Sequence, residues 1–580
     1  MKGDYSRDTF DPAKHFTRVL MQQGRVQLDA DWNEQGAILL HYLQTLAADL
    51  IGSYGGPLDQ LGFEIRPVSP KNDETELNDL SIGFGRYYVD GILCENYAQA
   101  ANVSHSPKQK DVEVALRDSS KAAGSKTGGH TYRDQFDYPP DPDAKEPEEL
   151  DVPLFVYLDV WERLITALED DDIREVALGG PDTAARAKVV WQVKIIAVGN
   201  DAKQFDIDVL NVSCKEFEKN EAWKKLKAEL QPENRGMLRA RAYVSENSTD
   251  VCIVSPESRY RGAENQLYRV EIHNGGTAHP TFKWSRENGS TVFPIQSLSG
   301  KTVILESMGR DERFGLEVGD WVEVVDDDYT LRGYAETLLR VEALDPIEMM
   351  VTLNDAPGPH VGRNQKRHPL LRRWEQREGD ARTGGLTLTD GAADVIERTK
   401  NNSHWLNLED GVQVQFEPGA NYRRGDYWLI PARTATGDVE WPGPPDNPDP
   451  RPPKGVEHHY APLAVVFQRD GADSLDVIDL RHQIEPLSKC VCPRIEVVTN
   501  PTFDPQKPIT FVAHVGSSFA GLTYNWTLTH GTMVSGQSTR RIQVTPNPGA
   551  NDVSALVEVG GLPAECPKTA TGKSVKKGAS

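Results

Sequence analysis

The stretch "LFVYLDVWERLITAL", Leu154 to Leu168, decides the fold class. In an extended chain Leu154, Val156, Leu158 and Val160 share one face, and Phe155, Tyr157 and Trp161 share the other. A strand that is apolar on both faces must be covered on both, so it belongs inside a sheet. Its expected neighbour is "KVVWQVKIIAV", Lys188 to Val198, where Val189, Trp191, Val193 and Ile195 lie on one face. A short helix is predicted over "EAWKKLKAEL", Glu221 to Leu230, with Trp223 and Leu226 turned to the core.

Working outward, "RYYVDGILCEN" reads as a hairpin turning at Asp90-Gly91. Between Leu267 and Asp355, "LYRVEIHN", "TFKWSREN", "KTVILES", "DWVEVVDDD" and "EMMVTLND" end in turn residues and suggest a small barrel or sandwich. "GVQVQFEPG" predicts Val412, Val414 and Phe416 inward with Gln413, Gln415 and Glu417 outward. "WPGPPDNPDPRPPKG", Trp441 to Gly455, can form only an extended loop or collar. After Cys492, "ITFVAHV", "LTYNWTL", "RRIQVTP" and "VSALVEVGG" follow the spacing of a small sandwich around Trp526.

The expected fold is mainly β, built of several sandwich or barrel modules, with minor α+β content and one long N-terminal helix. The expected divisions are a docking segment and helix over 1–60 and a β-rich domain over 61–255 with a mobile insertion at 118–151. A barrel or sandwich over 256–400, a β-rich domain over 401–487, a sandwich over 488–567 and a flexible tail over 568–580 complete the set.

The long helix is read from "VQLDADWNEQ", Val26 to Gln35. Asp29, Asp31 and Asn33 copy the opening of a calcium loop, but Glu34 and Leu40 stand where that loop needs glycine and a bidentate glutamate. Asp31 is instead expected to be the N-cap, with Glu34 completing a capping box, Trp32 anchoring the first turn and Asp29 capping or pairing nearby. On that reading Asp31→Ala costs about 1 kcal/mol. Leu39, Leu43, Leu46 and Leu50 then form an apolar stripe, which packs either on its own domain or against a partner subunit.

With 64 Lys plus Arg against 87 Asp plus Glu, the net charge of -23 argues against a nucleic-acid partner. No apolar run reaches membrane-spanning length and "MKGDYSRDTF" lacks a signal core, so the product is expected in the cytoplasm at synthesis. Two acidic triplets, Asp170, Asp171, Asp172 and Asp326, Asp327, Asp328, offer oxygen ligands for a cation, though adjacent acids in turns are usually solvated. His458 and His459 lack the spacing of a zinc pair and read as packing or surface hydrogen-bonding residues.

Cys94, Cys214 and Cys252 sit in strand-like stretches and read as core thiols. Cys490, Cys492 and Cys566 bracket the last segment; a disulfide from Cys490 or Cys492 to Cys566 would staple it under oxidising conditions. "TGKS", Thr571 to Ser574, lies in the tail and resembles a phosphate loop only by chance. No HExxH, G-x-S-x-G or G-x-G-x-x-G motif occurs, so neither an enzyme nor a cofactor is expected.

The N-terminal run "MKGDYSRDTFDPAKHFTRVLMQQGRVQLDADWNEQ", with "YLDVWERLITALEDDDIREVALGGPDTAARAKVVWQVK", "LYRVEIHNGG", "FKWSRENGS" and "GDYWLIPARTATGDVEWPG", resembles a family of uncharacterised bacterial proteins. Members of that family are encoded with contractile, phage-tail-like injection systems, and the resemblance runs from Met1 to about Leu487. "YNWTLTHGTMVSGQSTRRIQV" and "VEVGGLP" resemble a PKD-like, immunoglobulin-type sandwich. These resemblances imply a structural subunit at the baseplate or spike end, whose partners are baseplate, spike or sheath-end proteins. They also leave room for a homo-oligomer and for contact with a membrane or cell surface. The particle would be membrane-associated or released. The competing expectations are a tail-fibre-like adhesin for glycans and a glycan hydrolase with paired carboxylates.

Overall fold

A computed structural model describes residues 1–70, 76–97, 129–139, 150–199, 214–243, 259–309, 315–399, 405–469, 472–485, 492–516, 521–562 and 566–577. The chain is mostly β and divides into two compact units, Met1–Ile484 and Glu485–Ser580.

Leu154–Ile165 is a central strand, paired over its full length with Arg186–Ala197 and on its other edge with His459–Gln468. Leu154, Val156, Leu158 and Val160 enter one core with Val193, while Phe155 and Tyr157 enter another, closed by Phe217 and Trp223. Trp223 comes from the helix Glu221–Leu230, where Asn220 caps the N–H groups of Ala222 and Trp223. The double-sided apolar pattern therefore exists because sheet and helix bury both faces.

Gly85–Val89 and Ile92–Asn96 form the expected hairpin, with positive φ at Asp90 (46°) and Gly91 (82°). Gly91 is also required by packing, because a Cβ there would stand 2.0 Å from the Gln44 carbonyl oxygen of the long helix. Val292–Ser299, Thr302–Leu305, Met350–Leu353, Leu339–Asp345, Trp321–Val325 and Leu370–Trp374 close the expected barrel. "LYRVEIHN" and "TFKWSREN" instead join a separate six-stranded sheet with Tyr427–Arg433.

The expected divisions within residues 61–487 do not separate. Strand His459–Gln468 pairs with Leu154–Ile165, Val412–Phe416 with Leu238–Ala242, Tyr427–Arg433 with Gln266–Asn274, and Gln483–Ile484 with Tyr54–Pro57. Each of these ladders joins segments that the sequence pattern had assigned to different domains, so residues 1–484 fold as one unit. The described part of the 118–151 insertion is also ordered. Gly129–Thr131 is a strand, and the Gln135 amide binds the backbone of Val193 through bonds of 2.9 and 2.6 Å. Val412–Phe416 is buried on both faces; Gln413 accepts from Arg241 (2.9 Å) and donates to Asn407 (2.7 Å), which satisfies the amide inside.

The second unit is a sandwich of two four-stranded sheets around Phe511, Trp526, Ile542, Val544 and Val557. Cys492 pairs with Cys566, and Cys490 lies outside the described residues. The expected flexible tail is a strand. Thr569–Lys576 pairs with Asp552–Gly560 and buries Ser574, because its alternation, weak in apolar residues, is completed by ladder bonds. "TGKS" is thus extended chain, without the turn into a helix that a phosphate loop needs. Cys94 is buried, Cys214 opens a 3-10 turn rather than a strand, and Cys252 is outside the described residues.

Candidate functional site

The long helix spans Asp29–Ile51, about 34 Å at 1.5 Å per residue. Its N-cap is Leu28, whose side chain offers no acceptor, and Asp31 is the third helical residue. The capping role expected of Asp31 is therefore not taken. The helix begins three residues earlier than that cap would start it, and the carboxylate of Asp29 is satisfied from outside, by the Ser6 N–H (2.8 Å) and the Ser6 hydroxyl (2.5 Å). Burial opposes the Asp29 charge, yet the Ser6 hydrogen bonds outweigh it and hold the carboxyl below its ordinary range.

Glu34 does not close a capping box either; it accepts from the Thr9 hydroxyl (2.5 Å). The next residue, Gln35, accepts from the Val19 N–H (2.8 Å), and Phe10 packs against His41 with ring centres 5.7 Å apart. Two acids of "VQLDADWNEQ", Asp29 and Glu34, are thus a latch for the N-terminal arm.

The arm is fixed at its other end on the six-stranded sheet. The Met1 ammonium donates to the Tyr427 hydroxyl (2.5 Å), and the Met1 carbonyl accepts from Arg269 and Asn288. Asn288 also holds the Gly3 carbonyl at 2.9 Å, Arg433 holds that of Ser6 at 3.2 Å, and Lys454 of the Pro-rich loop pairs with Asp8. Lys2 lies 2.8 Å from Glu271.

Glu271 belongs to a buried ionic network. Arg269 reaches it at 2.6 Å, and Lys283 lies 3.6 Å from it and 2.6 Å from Glu323. The Trp374 indole donates to Glu323 at 3.0 Å. Burial alone would raise both acids; for Glu271 the charges of Lys2, Arg269 and Lys283 prevail and hold it far below the usual range. Lys283, Lys2 and His273 hold Glu323 at about 2. The network joins sheet, barrel and arm.

Among the described residues, nothing covers the outer face of the helix. Of its residues only Ala30 and Ile38 are buried, and Gln44 and Ile51 touch the body near Gly91 and Gly55. Trp32 is 74% exposed, Leu43 64%, Leu46 and Leu50 56% each, and Leu39 54%. The predicted stripe exists, and it points away from its own unit. Single exposed apolar residues are ordinary, whereas a contiguous row of them marks an interaction surface.

The other predicted site residues are occupied structurally. Asp170 caps a 3-10 turn through the Asp172 N–H, and Asp171 pairs with Arg174. Asp326 caps Asp327–Arg332 and accepts from the Gly362 N–H. Asp327 binds Arg163 (2.8 Å) and His368 (2.7 Å), and Asp328 pairs with Arg367. Among the described residues, no group of three His, Cys, Asp or Glu side chains gathers as a cation site. His458 binds Asp159, which also pairs with Lys194, and His459 binds Asp90.

One feature escaped sequence reading. A polar cavity of about 240 Å³ is lined by Arg286, Glu317, Asp320, Arg373, Glu375 and Arg377. Burial pushes the Glu375 carboxyl up to about 7, against the pull of Arg373 and Arg286. No motif connects these positions; only "WEQRE", Trp374 to Glu378, hinted at clustered charge.

Among the described residues, no helix is long and apolar enough to cross a membrane. No curated protein matches the chain. A family model described as a family of unknown function, DUF6519, matches residues 1–128, 121–219 and 221–473. These segments take in the arm, the helix, the barrel and all but the last two strands of the first unit, and the chain belongs to that family.

Proposed function

We propose that this chain is a non-enzymatic structural subunit of a contractile, phage-tail-like particle, placed at its baseplate or spike end. The observation that carries the reading is the outward row of Trp32, Leu39, Leu43, Leu46 and Leu50 on a helix clamped by the N-terminal arm. A rigid element that exposes apolar surface is built to be covered, and the arm fixes its direction before a partner arrives. The β sheets of the first unit serve as the platform, and the C-terminal sandwich is a presenting module of PKD-like kind. Purification of the intact particle from producing cells, followed by mass spectrometry, tests this. The chain should be found in stoichiometric amount with baseplate proteins, and its absence overturns the reading.

The adhesin alternative draws less support. Trp441, the aromatic residue of the Pro-rich loop, packs partly against the core and spends its indole N–H on Asp449. Among the described residues of the sandwich no aromatic side chain is exposed. The cavity around Glu375 favours the hydrolase alternative, since one acid poised near neutrality beside Glu317 and Asp320 is what general acid catalysis uses. Release of reducing sugar from cell-wall glycan by the chain, lost in Glu375→Gln, would establish that reading in place of ours.

A further inference from the structure

We infer that the outward face of the long helix is covered by a second copy of this chain, an inference that rests on the docking reading above. The stripe has heptad spacing: Trp32, Leu39 and Leu46 repeat every seven residues, and Gly36, Leu43 and Leu50 form the second row. Both rows lie on the exposed side, so a like helix can interdigitate with them. Gly36, with nothing near its missing side chain, lets backbones approach closely at the end next to Trp32.

Charge argues for self-pairing. In helical coiled coils the charged residues flanking the seam select a foreign partner and repel a wrong one. Here the flanking positions carry Asn33, Leu40 and Ala47 on one side and Gln35, Tyr42 and Asp49 on the other, a single charge in a chain of net charge -23. Ala37 to Ala48 contains no Asp, Glu, Lys or Arg at all. Two copies can therefore meet along this face without like charges opposing, and nothing on it selects a different sequence.

Size argues the same way. Trp32 (74% exposed), Leu39 (54%), Leu40 (43%), Leu43 (64%), Leu46 (56%) and Leu50 (56%) make one apolar row along nearly the whole helix, the extended seam that two like helices need in order to pair. Its composition is that of an obligate, apolar contact rather than a transient polar one.

Sedimentation velocity and multi-angle light scattering of the full chain at micromolar concentration test the inference. The wild type should have a mass that is a whole multiple, two or more, of 64.4 kDa. Leu43→Glu with Leu46→Glu should fall to 64.4 kDa with unchanged circular dichroism, since both side chains are already exposed. Ile347→Glu, a control at a residue 90% exposed elsewhere, should keep the wild-type mass. A wild type that runs as a single copy, or a double variant that keeps the multiple, overturns the inference. A single-copy wild type that still requires Leu43 and Leu46 to enter the particle defeats self-pairing but leaves the docking reading intact. A self-associating chain missing from the particle does the reverse.

Discussion

Asp29 shows how one carboxylate can govern where a helix starts and what it holds. Its two bonds to Ser6 replace a cap, so Asp29→Ala should loosen the arm rather than the helix. Amide exchange of residues 4–10 should rise about fivefold, the equivalent of about 1 kcal/mol, and Asp31→Ala should leave it unchanged. Glu375 makes a second prediction, in pH. Its ordinary pKa of 4.5 rises to about 7 in the native state. Between those values the folded chain keeps a proton that the unfolded chain has lost, so this stabilisation is complete below pH 4.5 and disappears as pH rises through 7. Glu375→Gln should remove about 3 kcal/mol of that pH dependence. Ten of the eleven tryptophans lie in the first unit, so fluorescence-detected denaturation reads it. Neither residue's role was visible locally: Ser6 is 23 positions from Asp29, and Arg286 is 89 from Glu375.

At the scale of elements, the strand Leu154–Ile165 and the helix Glu221–Leu230 were legible because their burial follows the periods of strand and helix. The long helix was legible in position and stripe, but its orientation was not. Periodicity says which residues share a face and nothing about whether that face looks inward or outward. The ionic network was missed for a related reason, since Lys2, Glu271, Lys283 and Glu323 look like surface charges on the page and meet only after the sheet, barrel and arm assemble. Removing one member leaves the others buried and uncompensated, so Lys283→Met should lower the stability of the first unit by about 3 to 5 kcal/mol in guanidinium denaturation. In the second unit, the Cys492–Cys566 bond closes a loop across 74 positions. Its reduction should cost the sandwich about 4 kcal/mol, read as a lower melting temperature of the later-sequence unit under reducing conditions.

At the scale of the molecule, strands close to residue 484 complete sheets begun near residue 54, and the arm crosses strands more than 250 positions away. This closure is why the divisions drawn from composition do not separate within the first unit, whereas among the described residues no ladder joins Met1–Ile484 to Glu485–Ser580. It also makes the helix a fixed feature of a large body rather than a loose appendage. The central claim is that this helix is the surface by which the chain is built into an assembly. Co-sedimentation of wild type and of Leu43→Glu with Leu46→Glu alongside particles from producing cells tests it most directly. The account predicts that the wild type pellets with the particle while the double variant, equally well folded, remains in the supernatant; equal pelleting of the two would contradict it.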